Sequence, residues 1–248
     1  MVFRRIRRLT VLLPLLALAA IVPAPAASAV IGGSVSTHAP WAVRMLVDGK
    51  PQCTATAISR EWILSASHCF FDHAESIADS RIEFRVGDLD QRKGTPVRPV
   101  TGSRQGAPVA DMMLIKVPPL NVTPAKLPGA ESVRPGQVVR QYGWGATCQG
   151  DETACQSEVL KQSDLRVLAS GDARCERFTV PGGTDFCVAR ISGLPAGGDS
   201  GGPVMTTGTL GEDTIVGVVD DSDRDSTAGA GDVSQQLPWI RQVIGGGK

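Results

Sequence analysis

The stretch Gly-Asp-Ser-Gly-Gly-Pro, residues 198–203, places Ser200 between glycines and directly after Asp199. A serine hydroxyl attacks a carbonyl poorly unless a base removes its proton and nearby donors stabilise the oxyanion that forms. Glycines allow the backbone to turn tightly, so that its N–H groups converge in front of the serine. The stretch therefore has the local chemistry of a nucleophile with its own oxyanion hole.

The order of the histidines along the chain selects the reaction scaffold. All three, His38, His68 and His73, precede Ser200. The serine stretch also fits the G-x-S-x-G elbow of α/β-hydrolases, but in those enzymes the triad histidine follows the serine. The α/β-hydrolase order is therefore excluded, and the order histidine, acid, serine remains for a triad in this chain.

His68 is the strongest candidate for the general base. It lies in residues 62–69, an apolar run that ends in small residues and Cys69, whose disulfide would anchor the turn that carries the imidazole. His38 lies in a loop and His73 lies in a polar segment, where exposure to solvent is expected. Of the three, His68 alone has a sequence context that would hold its ring in a fixed position.

Asp111 is the strongest candidate for the acid that orients this base. It opens an otherwise apolar strand at residues 111–117. A carboxylate that leads into a buried strand needs a partner for its charge. Donation from the His68 ring N–H would supply that partner and would fix the tautomer of the imidazole.

Five motifs follow one another along the chain: Val-Ile-Gly-Gly at 30–33, Ser-Ala-Ser-His-Cys at 65–69, Asp-Met-Met-Leu-Ile-Lys at 111–116, Gly-Trp-Gly at 143–145 and the serine stretch at 198–203. In this order they resemble the chymotrypsin/trypsin family of secreted serine proteases, over nearly all of the chain after residue 29. The resemblance implies an endopeptidase with Ser200 as nucleophile, His68 as general base and then acid, and Asp111 orienting His68. It also implies an oxyanion hole formed by the backbone N–H groups of Gly198 and Ser200.

The expected fold is all-β, because short strands alternate with Gly, Pro and Asp turns. The segment at 81–86 alternates with its apolar residues on one face. Similar patterns occur at 41–47, 136–142, 164–168, 186–189 and 214–219. The resemblance implies two six-stranded antiparallel barrels with the active site between them, His68 and Asp111 in the first and Ser200 in the second.

A short C-terminal helix is predicted by the helical spacing of Leu237, Ile240, Val243 and Ile244. Ser234 could cap its start, Pro238 suits its first turn, and the glycines from residue 245 would end it. We interpret this helix as structural, like the C-terminal helix of the resembled family.

Residues 1–29 have the three parts of a secretory signal peptide. Four arginines lie within the first eight residues, an apolar core spans 9–21, and Ala-Ser-Ala at 27–29 fits a cleavage site. The core is short for a membrane span. We therefore expect a signal peptide at 1–29, a protease domain at 30–248, and secretion to the extracellular space.

Cleavage after Ala29 would free the amine of Val30. In the resembled family, a new apolar N-terminus folds inward and pairs with the acid that precedes the catalytic serine, which here is Asp199. That ion pair arranges the oxyanion hole. We therefore expect signal cleavage itself to release active enzyme, without a separate propeptide.

The six cysteines all follow residue 29, and an even number in an exported chain favours disulfides over metal binding. Six cysteines allow 15 pairings. The resemblance implies Cys53–Cys69 and Cys175–Cys187 and leaves Cys148 with Cys155. Because the C-x-x-C and H-x-x-x-H spacings are absent from the sequence, no metal is expected, and no cofactor is expected either.

The charge of the chain gives no sign of a polyanionic partner. The 248 residues hold 25 basic and 25 acidic side chains, and loss of the four leader arginines leaves 21 basic ones. No basic patch suggests nucleic acid or an anionic membrane as a partner. We expect polypeptide substrates and proteinaceous inhibitors as partners, no membrane contact after signal removal, and a monomer.

The substrate pocket departs from the family pattern. Trypsin-like members carry an aspartate where this chain has Leu194, and the family usually has Ser-Trp-Gly where this chain has Asp220, Asp221 and Ser222. Leu194 as pocket floor would favour an apolar substrate side chain. The acidic run at 220–225 would favour lysine or arginine, or it is simply a solvated loop. The sequence leaves the cleavage preference open.

Two alternatives to a secreted endopeptidase remain. The first is a non-catalytic binding protein on a protease fold, which the altered pocket wall would suit but the complete set of triad residues does not favour. The second is an esterase that uses the same acyl transfer. Ester turnover alone would not separate an esterase from a protease, since an acyl-enzyme site can cleave esters incidentally.

Overall fold

Antiparallel strands dominate this computed structural model, which describes residues 31–131, 133–180, 182–207 and 213–246. The strands are β1 (Ser34–Val35), β2 (Ala42–Val47), β3 (Lys50–Ala57), β4 (Trp62–Ser65), β5 (Phe71–Asp72), β6 (Glu75–Ser76), β7 (Ile82–Val86), β8 (Thr95–Val97), β9 (Gln105–Gly106), β10 (Met113–Lys116), β11 (Val138–Gly143), β12 (Lys161–Val167), β13 (Asp185–Arg190), β14 (Pro203–Thr206), β15 (Ile215–Ser222) and β16 (Thr227–Asp232). One α-helix, α1, spans Leu237–Gly245 of the described chain, and short 3-10 turns occupy Ser67–Phe70, Asp79–Arg81, Ala173–Cys175 and Val233–Gln236. The predicted signal peptide and Val30 lie outside the described residues.

The first large sheet has the strand order β8-β7-β2-β3-β4-β10-β9. Its end strands are two parts of one segment, residues 95–106, because β8 pairs with β7 and β9 pairs with β10. Between them, the N–H of Val100 donates to the carbonyl oxygen of Lys116 in β10 at 2.8 Å. The sheet therefore curls into the first barrel, with its sixth strand divided into β8 and β9.

The second large sheet has the order β1-β12-β11-β14-β15-β16-β13, and β12 also pairs with β13. That pairing closes six strands into a barrel and leaves the short β1 as an addition beside β12. Fully buried aliphatic side chains such as Val139 and Leu165 fill its interior. The all-β prediction is confirmed.

Burial in β7 follows its alternating sequence pattern, whereas β2 is buried along its whole length. In β7, Ile82, Phe84 and Val86 are buried and the residues between them are half-buried, as a period of two requires. In β2 all six residues are buried. The outer face of β2 packs against the second barrel, where the Arg44 side chain reaches the carbonyl of Gly198.

The C-terminal helix is confirmed, but its predicted cap is wrong. Pro238 lies in the first turn of α1, and Leu237 and Ile240 are buried. Ser234 belongs to the preceding 3-10 turn, where its N–H and its hydroxyl both donate to the carboxylate of Asp232. Within the described ranges, no helix is long and apolar enough to span a membrane.

The predicted site residues lie where the barrels meet. Strand β10 pairs with β4 so that Met113 faces Ser65, which brings the segments holding Asp111 and His68 side by side. The N–H of Thr54 in β3 donates to the carbonyl oxygen of Ser200 at 3.0 Å. This hydrogen bond ties the serine of the second barrel to the wall of the first.

Candidate active site

His68 is fixed by both oxygens of one carboxylate. Its Nδ1 lies 2.5 Å from Asp111 Oδ2, and its backbone N–H donates to Asp111 Oδ1 at 2.9 Å. The neighbouring Ser67 hydroxyl donates to the carbonyl of Met112, and the adjacent Cys69 is bound to Cys53. The turn and the ring therefore share one orientation, which leaves Nε2 as the ring nitrogen that Asp111 does not occupy.

The same contacts shift the proton affinities of the pair. The hydrogen bond to Asp111 raises the pKa of His68, while burial opposes the shift. Burial alone would raise the pKa of Asp111, but the hydrogen bonds from His68 hold this pKa below its usual range. The arrangement favours a protonated imidazole beside an ionised carboxylate, which is the state that forms when a base accepts a proton.

Ser200 lies next to this pair, although no hydrogen bond joins it to His68 within the described residues. The Ser200 hydroxyl donates instead to the carbonyl oxygen of Asp220 at 3.4 Å. The Asp220 side chain in turn places Oδ1 3.8 Å from His68 Nδ1. Asp220 therefore contacts both the predicted nucleophile and the predicted base. A hydrogen bond between a nucleophilic serine and its base is often long without substrate and tightens when substrate binds.

The backbone before Ser200 in the described chain leaves the two N–H groups predicted to form the oxyanion hole without acceptors. The carbonyl of Gly197 accepts from the N–H of Ala146 at 2.8 Å and from Gln156 Nε2 at 2.7 Å. Because C=O and N–H of a trans peptide point in opposite directions, the N–H of Gly198 faces away from these groups. Among the described residues, the N–H groups of Gly198 and Ser200 have no acceptor. Both remain available to a developing negative charge.

Gly198 cannot be replaced by a larger residue in this conformation. Its φ is +95°, a region that side chains disfavour, and an added Cβ would collide with the Gln156 side chain. Its carbonyl accepts from Thr54 Oγ1 at 2.9 Å and from Arg44 Nη1 at 3.0 Å. The first barrel thus holds the peptide that carries the predicted oxyanion donors.

Arg44 is a fully buried cation that the sequence analysis missed. Its Nη2 donates to Gln156 Oε1 at 2.7 Å, and its Nε donates to Gln91 Oε1 at 3.1 Å. Burial lowers the pKa of Arg44 to about 10, and the charge of Asp199 opposes the shift. The one available signal was an arginine in the otherwise apolar strand Ala-Val-Arg-Met-Leu-Val.

Asp199 is completely buried behind the predicted oxyanion segment, residues 197–200. Its two carboxylate oxygens accept from the N–H of Gly145 at 2.8 Å and from that of Ala196 at 2.9 Å. Burial raises the pKa of Asp199 to about 6, and these hydrogen bonds and Arg44 oppose the rise. An added Cβ on Gly145 would collide with this carboxylate, which explains the last residue of the Gly-Trp-Gly motif. The expected partner, the Val30 amine, lies outside the described residues.

The residues predicted for the substrate pocket lie partly in the core of the second barrel and partly in the acidic run. Leu194 is fully buried among the aliphatic side chains of the second barrel, and its N–H donates to the carbonyl of Ile31. Asp221 forms ion pairs with Arg177 at 2.6 Å and Arg224 at 3.3 Å. Ser222 is buried, and its hydroxyl accepts from the N–H of Arg224. Internal ion pairs therefore neutralise part of the acidic run.

A disulfide loop reaches over the same region. Cys148 and Cys155 are bonded, and between them Glu152 accepts from the N–H of Gly197 at 2.7 Å and pairs with Arg224 Nε at 2.9 Å. The hydrogen bond from Arg224 lowers the pKa of Glu152. With Cys53–Cys69 and Cys175–Cys187, this gives the three disulfides in the expected pairing.

Asp220 is a second acid beside His68, after Asp111. Burial and the neighbouring carboxylate of Asp111 raise the pKa of Asp220 to about 6.

The other two histidines have partners outside this cluster. His38 pairs with Asp213, and the exposed His73 lies beside Asp72.

Two groups of described residues bring three potential metal ligands within 4.8 Å of one another. In the first, His68 lies beside the sulfurs of Cys53 and Cys69, which are bonded to each other. In the second, His68, Asp111 and Asp220 meet, but Nδ1 of His68 is already hydrogen-bonded to Asp111. Neither group is a free set of ligands.

Comparison with known proteins gives one family. The family model for trypsin matches residues 30–240. Similar proteins include trypsin iota of Drosophila melanogaster, 27% identical over 85% of this chain and 86% of that protein. Kallikrein-15 of Saguinus oedipus is 29% identical over 83% of this chain and 86% of its own length. Human kallikrein-15 is 27% identical over 86% of this chain and 90% of its own length. With its all-β fold and three disulfides, the chain therefore belongs to the trypsin family of serine-type endopeptidases.

Proposed function

We propose that this protein is a secreted endopeptidase that cleaves peptide bonds through an acyl-enzyme formed on Ser200. The observation that carries the proposal is the double contact of His68 with Asp111, through both carboxylate oxygens. It holds a basic ring nitrogen next to a serine whose neighbouring backbone donors are unoccupied. Those are the parts that acyl transfer needs.

In the proposed reaction, Ser200 Oγ attacks the scissile carbonyl while His68 Nε2 takes its proton. The carbonyl oxygen becomes an oxyanion bound by the N–H groups of Gly198 and Ser200. The imidazolium, stabilised by Asp111, then gives its proton to the leaving amine, and the C–N bond breaks. Water repeats the sequence on the ester, which releases the acid product and restores Ser200.

We propose that maturation consists of signal removal. Cleavage after Ala29 would export residues 30–248 and free the amine of Val30, which would pair with Asp199. The complete burial of Asp199 without a direct ion-pair partner among the described residues supports this pairing. Deprotonation of the amine at alkaline pH would break the pair, so we expect activity to fall there.

The substrates are polypeptides, and the pocket argues against simple trypsin-like selectivity. The predicted pocket floor, Leu194, carries no charge, and Asp221 is engaged by Arg177 and Arg224. Neither feature provides a free carboxylate for a basic side chain. We expect protein inhibitors to bind the same cleft, and we expect a monomer that requires no cofactor.

The test is the intact mass of the exported protein, measured before and after reaction with a fluorophosphonate probe. We expect a chain that starts at Val30 and gains one probe, and we expect the Ser200→Ala variant to gain none. A different first residue would contradict the maturation step. A correctly processed chain that takes no probe would contradict the acyl-enzyme and favour a binding protein on a protease fold.

A further inference from the structure

We propose that Asp220 is a positioning residue that shares a proton with Asp111 and sets the pH range in which His68 acts as a base. The inference rests on the proposed function, because it assigns Asp220 to the same triad. Asp220 is one of the positions at which the chain departs from the Ser-Trp-Gly pattern of its family.

The backbone of β15 directs Asp220 toward the first barrel. The pairing of β15 with β16 shifts register between Val219 and Ser222, so the two residues between them have no partner in that ladder. At this irregularity the carbonyl of Asp220 accepts from the Ser200 hydroxyl. The carboxylate then lies with Oδ1 3.8 Å from His68 Nδ1, on the side of the ring that also faces Asp111.

The charged groups around Asp220 come from three elements. His68 faces it from the 3-10 turn after β4, Asp111 from the segment before β10, and Asp185 from the start of β13. Its one ion-pair contact among the described residues is with His68. The next acid, Asp221, is engaged by arginines. Asp220 therefore sits among carboxylates with His68 as its nearest cation.

Two neighbouring carboxylates cannot both ionise at low cost, so one of them holds a proton at mildly acidic pH. The hydrogen bonds from His68 keep Asp111 ionised, which assigns the proton to Asp220, whose pKa is raised to about 6. Below that pH, the Asp220 O–H would donate to the carboxylate of Asp111. Above it, the ionised Asp220 would add a second negative charge beside the imidazole.

The negative charge of ionised Asp220 determines the direction in which the pKa of His68 shifts. Ionised Asp220 raises the pKa of His68, in addition to the larger effect of Asp111. Only the neutral imidazole can act as a base, so activity falls as the pH drops through the raised pKa, which lies above the usual 6.5. A neutral residue at position 220 would let the base work at lower pH.

The first test compares kcat/KM from pH 5 to 10 for the wild type, Asp220→Asn and Asp220→Ser. Asp72→Asn is the matched control, because it removes the same charge from an exposed position four residues after His68. We expect both Asp220 variants to shift the acid limb to lower pH. The ratio of kcat/KM at pH 6 to its plateau should rise about threefold or more, while the plateau falls several-fold because the imidazolium loses an anion. The control should follow the wild type.

A second readout does not depend on turnover. In a Ser200→Ala background, NMR titration of the His68 ring should give a lower pKa with Asp220→Asn than without it. An unchanged titration, or an acid limb that stays in place in both Asp220 variants, would overturn the proposal. Wild-type protein that takes no fluorophosphonate probe would instead overturn the proposed function, and the NMR titration would still decide the role of Asp220.

Discussion

The guanidinium of Arg44, in the first barrel, donates from Nη1 to the carbonyl oxygen of Gly198, in the second barrel, at 3.0 Å. The same side chain binds Gln156, which in turn donates to the carbonyl of Gly197. Both carbonyls of the proposed oxyanion segment are therefore held by one buried network. The orientation of the Gly198 N–H depends on a cation that lies 154 positions away along the chain.

We expect Arg44→Met to lower kcat/KM about 100-fold with little change in KM, because the oxyanion donors lose their alignment. Arg44→Lys should not restore activity, since an ammonium lacks the planar fork that reaches several acceptors at once. Steady-state kinetics with a peptide substrate measure the effect. Arg60→Met, at an exposed position, is the control, and an Arg44→Met enzyme within about twofold of wild type would contradict this role.

His68→Ala should reduce turnover by about 10⁴-fold or more, because the variant lacks the proposed general base. His73→Ala is the matched control, as the His73 side chain is completely exposed. Both variants would be assayed against a peptide and an ester under the same conditions. Comparable losses in the two variants, or activity retained by His68→Ala, would remove His68 from the mechanism.

The pH dependence of stability tests the environment of Asp199. Burial raises its folded-state pKa from 3.8 to about 6, so ionising the unpaired carboxylate costs stability as the pH rises from about 4 to above 6. That difference corresponds to about 3 kcal/mol. In a chain in which Ala29 still precedes Val30, we expect the free energy of unfolding to fall as the pH rises from about 4 to above 6. In the Asp199→Asn variant of that chain, the free energy of unfolding should not show this fall.

The measurement is the free energy of unfolding in urea at pH 4 and pH 7, for the extended chain, the chain that starts at Val30, and the Asp199→Asn form of each. The Val30 amine should supply the missing cation, so the shorter chain should lose less stability between the two pH values. If the free energy of unfolding changed equally with pH in the extended chain and in the chain that starts at Val30, the Val30–Asp199 pair would be contradicted.

Local sequence predicted the residues whose chemistry depends on their immediate neighbours. Ser200 lies among glycines, His68 precedes a cysteine, and Asp111 opens an apolar strand, so each could be proposed as a site residue from a few adjacent letters. Arg44 and Glu152 could not, because their roles arise only when distant segments pack together. Their sequence signals, a charge in an apolar strand and an acid in a polar loop, are common features that indicate no particular partner.

Some strands could likewise be predicted from local sequence, and others could not. The alternating pattern at 81–86 predicted β7 correctly. The segment that forms β16, Thr-Ala-Gly-Ala-Gly-Asp, has no such pattern, yet all its residues are buried between β13 and β15. The side chain of Phe178 packs over Gly229 in this strand, where an added Cβ would collide with it. Tertiary packing therefore requires small residues there, against their low strand propensity.

The Glu152–Arg224 pair gives a prediction about the loop closed by Cys148–Cys155. We expect Glu152→Ala to lower kcat/KM about three- to tenfold, because the N–H of Gly197 loses its acceptor beside the oxyanion segment. A double-mutant cycle with Arg224→Ala should give a coupling of about 0.5–1 kcal/mol, typical of a partly exposed pair. Glu158→Ala, which removes a more exposed acid, is the control. Additive effects of the two substitutions would show that the ion pair does not hold the loop.

Pre-steady-state kinetics with a chromogenic ester would show whether Ser200 carries an acyl intermediate. We expect a burst of the leaving group equal to the concentration of protein, and a mass increase of one acyl group on the peptide that contains Ser200. The Ser200→Ala variant should show neither, and should lose peptide hydrolysis in parallel. Peptide hydrolysis by Ser200→Ala at a rate near that of the wild type, with no burst in either protein, would rule out an acyl intermediate on Ser200.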